Sequence, residues 1–332
     1  MLYLTVKKAR TVSLKIRKLK SANRRLLVTD PSYSKVESEL SKCLAGYKGE
    51  QRLDYYVSRW TGPGQEFLVL NDLRLSNKDV HFQIDTLILF HSFYLALEAK
   101  NMSGILEFDP VYQQLIQTTK RNNVEMKEYY FDPICQVQNQ KAQLQQWLKN
   151  KKLPDLPGEC LVVLTNSNSF VKAISNPNMV ERYVTKGIGL TQKMDMLVKR
   201  YSKEVISLKD LRKTAASLIK SNEPLQTNPL QRFNIQYEHL QKGVYCRKCE
   251  SMSFKRFRSI WRCVICNSVS KDTHMNDLED YFLLVKPTIS VSELKDFLGL
   301  DHISTARRMV QSLQLNYVGR TNGRQYTLPF SH

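Results

Sequence analysis

Two adjacent apolar runs with charges set inside them constrain this chain more than any other stretch. His81 to Phe90 and Phe93 to Lys100 are rich in apolar residues that suit strands and read as successive β-strands, joined by a tight turn at His91 and Ser92. In the first run Asp85 is a lone carboxylate among Phe82, Ile84, Leu87, Ile88 and Leu89. A buried, unpaired charge is unfavourable by several kcal/mol, so Asp85 needs a partner. The second run ends in Leu97, Glu98, Ala99 and Lys100; strand alternation puts Glu98 and Lys100 on one face and Ala99 on the other. A two-residue turn sets the strands side by side, so Asp85 and Glu98 could converge on a shared cation. Mg²⁺ takes hard oxygen ligands and keeps several waters; two carboxylates, the Ala99 carbonyl and water would satisfy it. Such an ion would polarise a phosphodiester and acidify a bound water, with Lys100 orienting that water and offsetting phosphate charge. Spacing alone leaves a plainer reading open, in which Asp85 and Lys100 form a structural ion pair and Glu98 ends a strand at the surface.

The chain has 332 residues, enough for two or three compact units. No apolar run approaches the roughly 20 residues needed to span a bilayer, which sets the expectation of a soluble, cytoplasmic protein without a membrane partner. Its 50 Lys and Arg against 31 Asp and Glu give a net charge of +19. That field favours polyanions, of which nucleic acid is the usual one, although charge alone also serves solubility. The first 28 residues carry nine Lys or Arg and no acid, without the apolar core of a secretory signal. The alternation of Val12, Leu14 and Ile16 suggests a basic strand, and residues 1–30 read as a basic N-terminal arm.

From Tyr33 to Trp60 the apolar positions recur at helical spacing, with Ser32 or Ser34 as cap and Gly46 and Gly49 dividing or bending the helix. These glycines also permit close backbone approach, and Glu50 follows them directly. Thr61, Gly62, Pro63 and Gly64 form a break before a strand over Phe67 to Leu75. Ile105 to Phe108 suggests a short strand, whereas the polar, Gln-rich stretch from Pro110 to Tyr129 fits no single pattern. Ile134, Val137, Leu144, Trp147 and Leu148 mark a helix that ends before Pro154, and Glu159 to Thr165 is a compact apolar strand. His81 and His91 read as strand-end residues, and Cys43, Cys135 and Cys160 as packed thiols.

Several ordered motifs carry a resemblance. Gly46, Tyr47, Lys48, Gly49 and Glu50; Asn71 to Leu75; Phe82 to Asp85; Leu97 to Asn101 with Gly104; and Asp132 to Gln136 together resemble the NERD family, the nuclease-related domain, over roughly Lys42 to Leu148. That family is placed in the PD-(D/E)xK nuclease superfamily. The resemblance implies a restriction-endonuclease-like α/β fold, a mixed sheet flanked by helices. It makes Glu50 the helix acid, Asp85 and Glu98 the Mg²⁺ (or Mn²⁺) carboxylates, Lys100 the catalytic lysine and Gln136 a helix glutamine facing the site, with Gln140 one turn on able to share that role. Ile84 stands where the superfamily motif has proline. The implied activity is metal-dependent hydrolysis of nucleic acid, DNA ahead of RNA, and a homo-oligomer is compatible with it. The alternative is a non-catalytic nucleic-acid-binding or regulatory protein that keeps the nuclease fold.

Beyond a polar linker over 221–240, Cys246, Cys249, Cys263 and Cys266 form two CxxC pairs with 13 residues between them. This is the spacing of a four-cysteine zinc ribbon, expected over 241–274, in which Zn²⁺ is structural because four thiolates close the coordination sphere. Between the pairs, Lys255, Arg256 and Arg258 are interleaved with Phe257 and Trp261; the basic groups suit phosphates and the rings suit base stacking, while a buried Trp261 in a small core is equally consistent. Residues 275–332 suggest two helices and a hairpin signalled by Asn322 and Gly323, similar to a winged helix-turn-helix. Arg307 and Arg308 would lie on its second helix and Arg320 and Arg324 near the wing. The nuclease domain itself is expected over 31–220.

Overall fold

The computed structural model describes residues 4–62, 66–320 and 323–327; Pro63, Gly64 and Asn322, named above as turn residues, lie outside the described residues. The chain falls into two compact units, Met1–Val12 with Cys43–Leu225, and Ser13–Lys42 with Gln226–His332. Residues 1–30 therefore do not stand apart as an arm. Strand β1 (Leu4–Lys8) enters the sheet of the first unit, and helix α1 (Leu14–Arg25) belongs to the second. Where the sequence suggested a strand through Val12, Leu14 and Ile16, Ser13 caps α1 by accepting from the Ile16 N–H, and Ile16, Leu19 and Ala22 are buried along one helical face. A three-residue alternation is too short to tell a strand from the first turn of a helix.

Helix α2 (Tyr33–Ser58) runs through both glycines without interruption. A Cβ on Gly49 would lie 2.6 Å from the Asn101 Cβ, so this glycine serves close approach rather than helix breaking. Asn101 fastens the contact by donating to the Ala45 carbonyl at 2.8 Å. The first unit continues with β2 (Phe67–Asn77), β3 (Val80–Leu89), β4 (Tyr94–Lys100), β5 (Gly104–Asp109), β6 (Gln114–Arg121), β7 (Val124–Phe131), α3 (Pro133–Asn150), β8 (Gly158–Leu164), β9 (Ser169–Ala173), α4 (Pro177–Tyr183), β10 (Val184–Lys186), α5 (Leu190–Arg200) and α6 (Leu208–Lys220).

Its central sheet has the order β1-β2-β3-β4-β8-β10. The β2-β3-β4 meander is antiparallel, and β1, β8 and β10 run parallel to their neighbours, so the sheet is mixed. One face packs on Ile134, Val137, Leu144 and Trp147 of α3 and on Leu211 and Leu218 of α6. The other packs on Leu53 and Val57 of α2 and on Leu190, Met194 and Leu197 of α5. Cover on both faces is why Leu87, Ile88 and Leu89 read as an unbroken apolar run. The ambiguous stretch after Pro110 resolves into the β6–β7 hairpin of a second sheet, ordered β7-β6-β5-β9, whose Leu106, Phe108 and Leu115 join the α3 side of the core.

The second unit adds α7 (Pro229–Arg232), β11 (Val244–Cys246), β12 (Ser251–Phe257), β13 (Ile260–Cys263), β14 (Val269–Ser270), α8 (His274–Leu284), α9 (Val291–Phe297), α10 (Ile303–Ser312), β15 (Asn316–Val318) and β16 (Gln325–Thr327). The cysteine-bearing strands and the helices after them share one apolar core, in which Val244, Phe254 and Trp261 meet Leu278, Tyr281, Leu294 and Phe297. Arg25 of α1 is fully buried in this unit, hydrogen-bonded to Asp277 and Asp280 and set 4.1 Å over the Phe297 ring. Part of the basic N-terminal charge is thus consumed in folding rather than offered to a ligand. Among the described residues no helix is long and apolar enough to cross a membrane.

Candidate active site and metal centre

The β3–β4 ladder pairs Leu89 with Tyr94 through Thr86 with Leu97, and Asp85 and Glu98 are the residues just beyond its last pair. There the Asp85 side chain takes the place of the ladder: its Oδ2 accepts from the Ala99 N–H at 2.9 Å. Two carboxylates are brought to the same strand opening because the tight turn fixes the register.

Glu98 is 4% exposed and every bond it accepts comes from a functional-type side chain. Its Oε1 accepts from Lys100 Nζ and from Gln136 Nε2, both at 2.7 Å, and its Oε2 from Gln140 Nε2 at 2.8 Å. Lys100 Nζ also donates to Gln136 Oε1 at 2.9 Å. Asp132 caps α3, accepting from the Ile134 N–H, and Pro133 starts the helix; from there Gln136 and Gln140, one turn apart, reach the same carboxylate. Lys100 is paired with Glu98 rather than Asp85, so the structural Asp85–Lys100 pair allowed by the spacing is not what forms.

Asp85 is half-buried and crowded by other acids. Desolvation, then the nearby charges of Glu98 and Glu50, push its carboxyl well above the ordinary carboxylate range, against the opposing pull of the Ala99 N–H and Lys100. Glu50 is pushed up as well, first by burial. Its carboxylate is turned to a group that sequence reasoning did not pick out, Arg10, whose Nη1 donates to Glu50 Oε2 at 2.7 Å. The same guanidinium donates to Asp54, to Thr86 Oγ1 at 2.8 Å and to the Asp85 carbonyl at 3.0 Å. Burial works to lower the Arg10 pKa, but the bond and charge of Asp54, with Glu50 and Asp85, outweigh it and hold it above the usual value. One cation from the residue run after β1 thus anchors the helix acid and the backbone of Asp85.

Replacing Arg10 with alanine is expected to destabilise the first unit by about 2 kcal/mol. This is below the ~3–5 kcal/mol of a fully buried pair, because Glu50 and Asp54 keep some access to water. Chemical denaturation checks it; an unchanged midpoint would show that the acids repack without the guanidinium.

Asp85, Glu98, Gln136 and Gln140 line a cavity of about 700 Å³ together with Val80, His81, Phe82, Gln83, Phe131, Asn139 and Gln143. Among the described residues Gln140 Oε1 is buried beside it with no hydrogen-bond partner. The bond from Gln140 Nε2 to Glu98 fixes which end of that amide is the oxygen. Crowded carboxylates and an unpaired hard oxygen form a donor set that suits Mg²⁺ or Mn²⁺. His81, which also lines this cavity, pairs with Glu223, and His91 meets the Ile206 carbonyl.

In the second unit, the four ligand atoms of Cys246, Cys249, Cys263 and Cys266 all lie within 4.8 Å of one another. The Cys246–Cys266 and Cys249–Cys263 sulfur distances are 3.6 and 3.5 Å, against the ~3.8 Å edge of a tetrahedron with 2.3 Å Zn–S bonds. Burial raises the Cys263 thiol, but N–H donation from Cys266 and Ile265 and the Ser253 hydroxyl overcome it, bringing it down to about 5. The cluster is compatible with structural zinc.

Alternation on β13 places Trp261 and Cys263 inward and Arg262 outward. Trp261 is 1% exposed and donates to His274 Nδ1 at 3.1 Å, so it is a core residue and not a stacking platform for a base. Arg256 is half-buried over its ring at 5.2 Å. Lys255, Phe257 and Arg258 remain exposed, as do Arg307 and Arg308 on α10. Arg324 is drawn over the Tyr317 ring at 4.4 Å.

Comparison with protein-family models matches residues 45–165 to NERD, the nuclease-related domain. This segment is similar to the nuclease-related domain. The match takes in Gly49, Glu50, Asp85, Glu98, Lys100 and Gln136 and ends at Thr165, whereas Arg10 lies outside it. Comparisons with curated proteins and with solved structures give no match. NERD residues with no ionisable group also find a physical role: Gly49 and Asn101 bring α2 against the end of β4, and Gly104, at φ 83°, has no room for a Cβ against the Thr118 carbonyl.

Proposed function

We propose that the protein is a Mg²⁺- or Mn²⁺-dependent nuclease that hydrolyses phosphodiester bonds of nucleic acid, DNA ahead of RNA, by attack of a metal-activated water. The observation that carries this reading is the side-chain network of Glu98, Lys100, Gln136 and Gln140, set beside Asp85 in an open cavity that Asp85, Glu98, Gln136 and Gln140 line. Asp85 and Glu98, with the Ala99 carbonyl, would hold the metal. When bound, the ion supplies Lewis-acid chemistry, polarising the phosphodiester and lowering the pKa of the attacking water. Lys100 uses two bonds on Glu98 and Gln136, leaving one ammonium proton to orient the water or meet a phosphate oxygen. Gln136 and Gln140 fix both oxygens of Glu98, so its geometry does not have to be found during turnover. Glu50, held by Arg10, adds negative charge behind Asp85 and strengthens the site's demand for a cation.

In the second unit, zinc on the four cysteines would be structural. The α8–α10 helices with the β15–β16 hairpin form a winged-helix-like unit, and Lys255, Arg258, Arg307, Arg308 and Arg324 offer cationic groups for nucleic-acid backbones.

The test is incubation of the purified chain and a Glu98→Ala variant with labelled linear, circular and single-stranded DNA and with RNA, in Mg²⁺ or EDTA. Cleavage that needs Mg²⁺ and is lost in the variant is expected. Nucleic-acid binding with no cleavage under any of these conditions would favour a regulatory, non-catalytic protein on the nuclease fold.

A further inference from the structure

In the second sheet of the first unit, β5 and β6 bury one face against the core, whereas β7 is exposed on both faces. Leu106, Phe108 and Leu115 point inward, while strand register aligns the outward residues in rows. One row is Lys127, the buried Thr118, Ile105 and Phe170; the next is Tyr129, Ile116, Glu107 and Lys172; the third is Phe131, Gln114 and the buried Asp109. Tyr129, Phe131 and Phe170 are 68, 58 and 65% exposed, an unusual display for large rings in regular strands. Lysines at 120, 127 and 172 stand among them; Lys127 meets Glu125 in an exposed pair, Lys172 meets the less exposed Glu107, and Asp109 is buried and accepts from Gln114 and Ser175. Exposed pairs of this kind are weak and readily exchanged for a phosphate.

We propose that this outer face is a binding track for single-stranded nucleic acid, with bases stacked on Tyr129, Phe131 and Phe170 and the backbone held by Lys120, Lys127 and Lys172. Three observations select this occupant. Phe131 belongs both to the sheet face and to the lining of the cavity that holds Asp85 and Glu98, so the track is continuous with the candidate active site. The rings alternate with lysines instead of forming one apolar patch, which fits a polyanion with π-faces better than a lipid surface or a second copy, and the chain's charge of +19 points the same way. Tyr129 and Phe131, two residues apart on β7, stand roughly 7 Å apart, room for a separate base on each. Stacking on exposed rings needs unpaired bases, because a duplex covers its base faces internally. The inference rests on the nuclease reading and gives its substrate class.

The experiment is fluorescence anisotropy in EDTA with the full chain. The probes are a labelled oligothymidine longer than the ~4–16 nucleotides that a single-strand-binding fold covers, and a blunt duplex of equal length. Tyr129→Ala with Phe170→Ala is expected to weaken oligothymidine binding at least ~tenfold, since stacked rings count strongly in such sites. Tyr129→Phe with Phe170→Tyr should restore it to about the wild-type level, because every aromatic face can stack. Duplex affinity should barely change. Unchanged oligothymidine affinity in the alanine pair, an equal loss for duplex, or a change in molecular mass by light scattering that marks the face as a self-association surface would each overturn the track. If the sheet variants bind normally while Glu98→Ala still abolishes cleavage, the track fails and the nuclease reading stands. Ring-dependent binding without Mg²⁺-dependent cleavage gives the reverse.

Discussion

Asp85→Asn is expected to lower Mg²⁺-dependent cleavage by ~10²–10³-fold or more, the scale of losing one preorganised electrostatic contact in a catalytic site. The same change should raise the melting temperature of the metal-free protein at neutral pH. The two effects share a cause. Desolvation, then Glu98 and Glu50, hold the Asp85 carboxyl above its ordinary range, so the folded protein takes up a proton there more readily than the unfolded chain. A carboxyl with a raised folded pKa contributes stability that is present below its unfolded value and lost as pH rises through the folded one. At neutral pH and without metal, keeping Asp85 in this desolvated, acid-crowded place therefore weighs against folding. Asparagine removes the charge yet still accepts from the Ala99 N–H, the bond that now ends on Asp85 Oδ2. Adding Mg²⁺ should reverse the order, raising the wild-type melting temperature and leaving the variant's unchanged. Cleavage by the wild type should increase as pH rises through the elevated Asp85 value, because only the carboxylate can hold the ion. A variant that melts lower than wild type in EDTA, or that still cleaves, would remove Asp85 from the proposed role.

This site was legible in sequence because its parts are local or periodic. Asp85, Glu98 and Lys100 sit on two strands joined by a short turn, where alternation decides the faces, and Gln136 and Gln140 are one helical turn apart on a helix whose Asp132 cap and Pro133 start are visible. Arg10 had no such signal. It meets Glu50, Asp54, Asp85 and Thr86 across 40 to 76 residues of chain, and in the sequence it is one of nine cations in a stretch that reads as solvated. The glycines of α2 misled for the opposite reason: helix propensity argues for a break at Gly49, whereas packing against Asn101 requires a residue without Cβ and keeps the helix whole. The β6–β7 hairpin was hidden because β7 is exposed at every position, so no apolar period marks it. That exposure is the property the proposed track depends on.

Stripping metal from the second unit under reducing conditions is expected to unfold it while the first unit keeps its cooperative melt. Structural Zn²⁺ contributes roughly 10–16 kcal/mol of apparent binding free energy in small zinc modules, as much as the ~5–15 kcal/mol that stabilises a whole domain. The strands β11–β14 are short, and their apolar residues are not a separate core: Val244, Phe254 and Trp261 pack on Leu278, Tyr281 and Leu294. Loss of the metal leaves the four sulfurs, paired at 3.5–3.6 Å, with only hydrogen bonds to Ser251, Ser253 and Ser268 to hold them together. Because Trp261, two residues from Cys263 on β13, donates to His274 of α8 and shares the helices' apolar core, the loosening should propagate into α8–α10 rather than stop at the strands. Near-ultraviolet circular dichroism of Trp261 and limited proteolysis after residue 226 report the unfolding, and metal analysis should give one Zn²⁺ per chain. Cys263→Ser should reproduce the stripped state, since it removes one of the four sulfurs that close the tetrahedral site. Protein purified under reducing conditions with no bound zinc, yet with a protected residue 226–332 segment, would show that the shared apolar core alone sustains this unit.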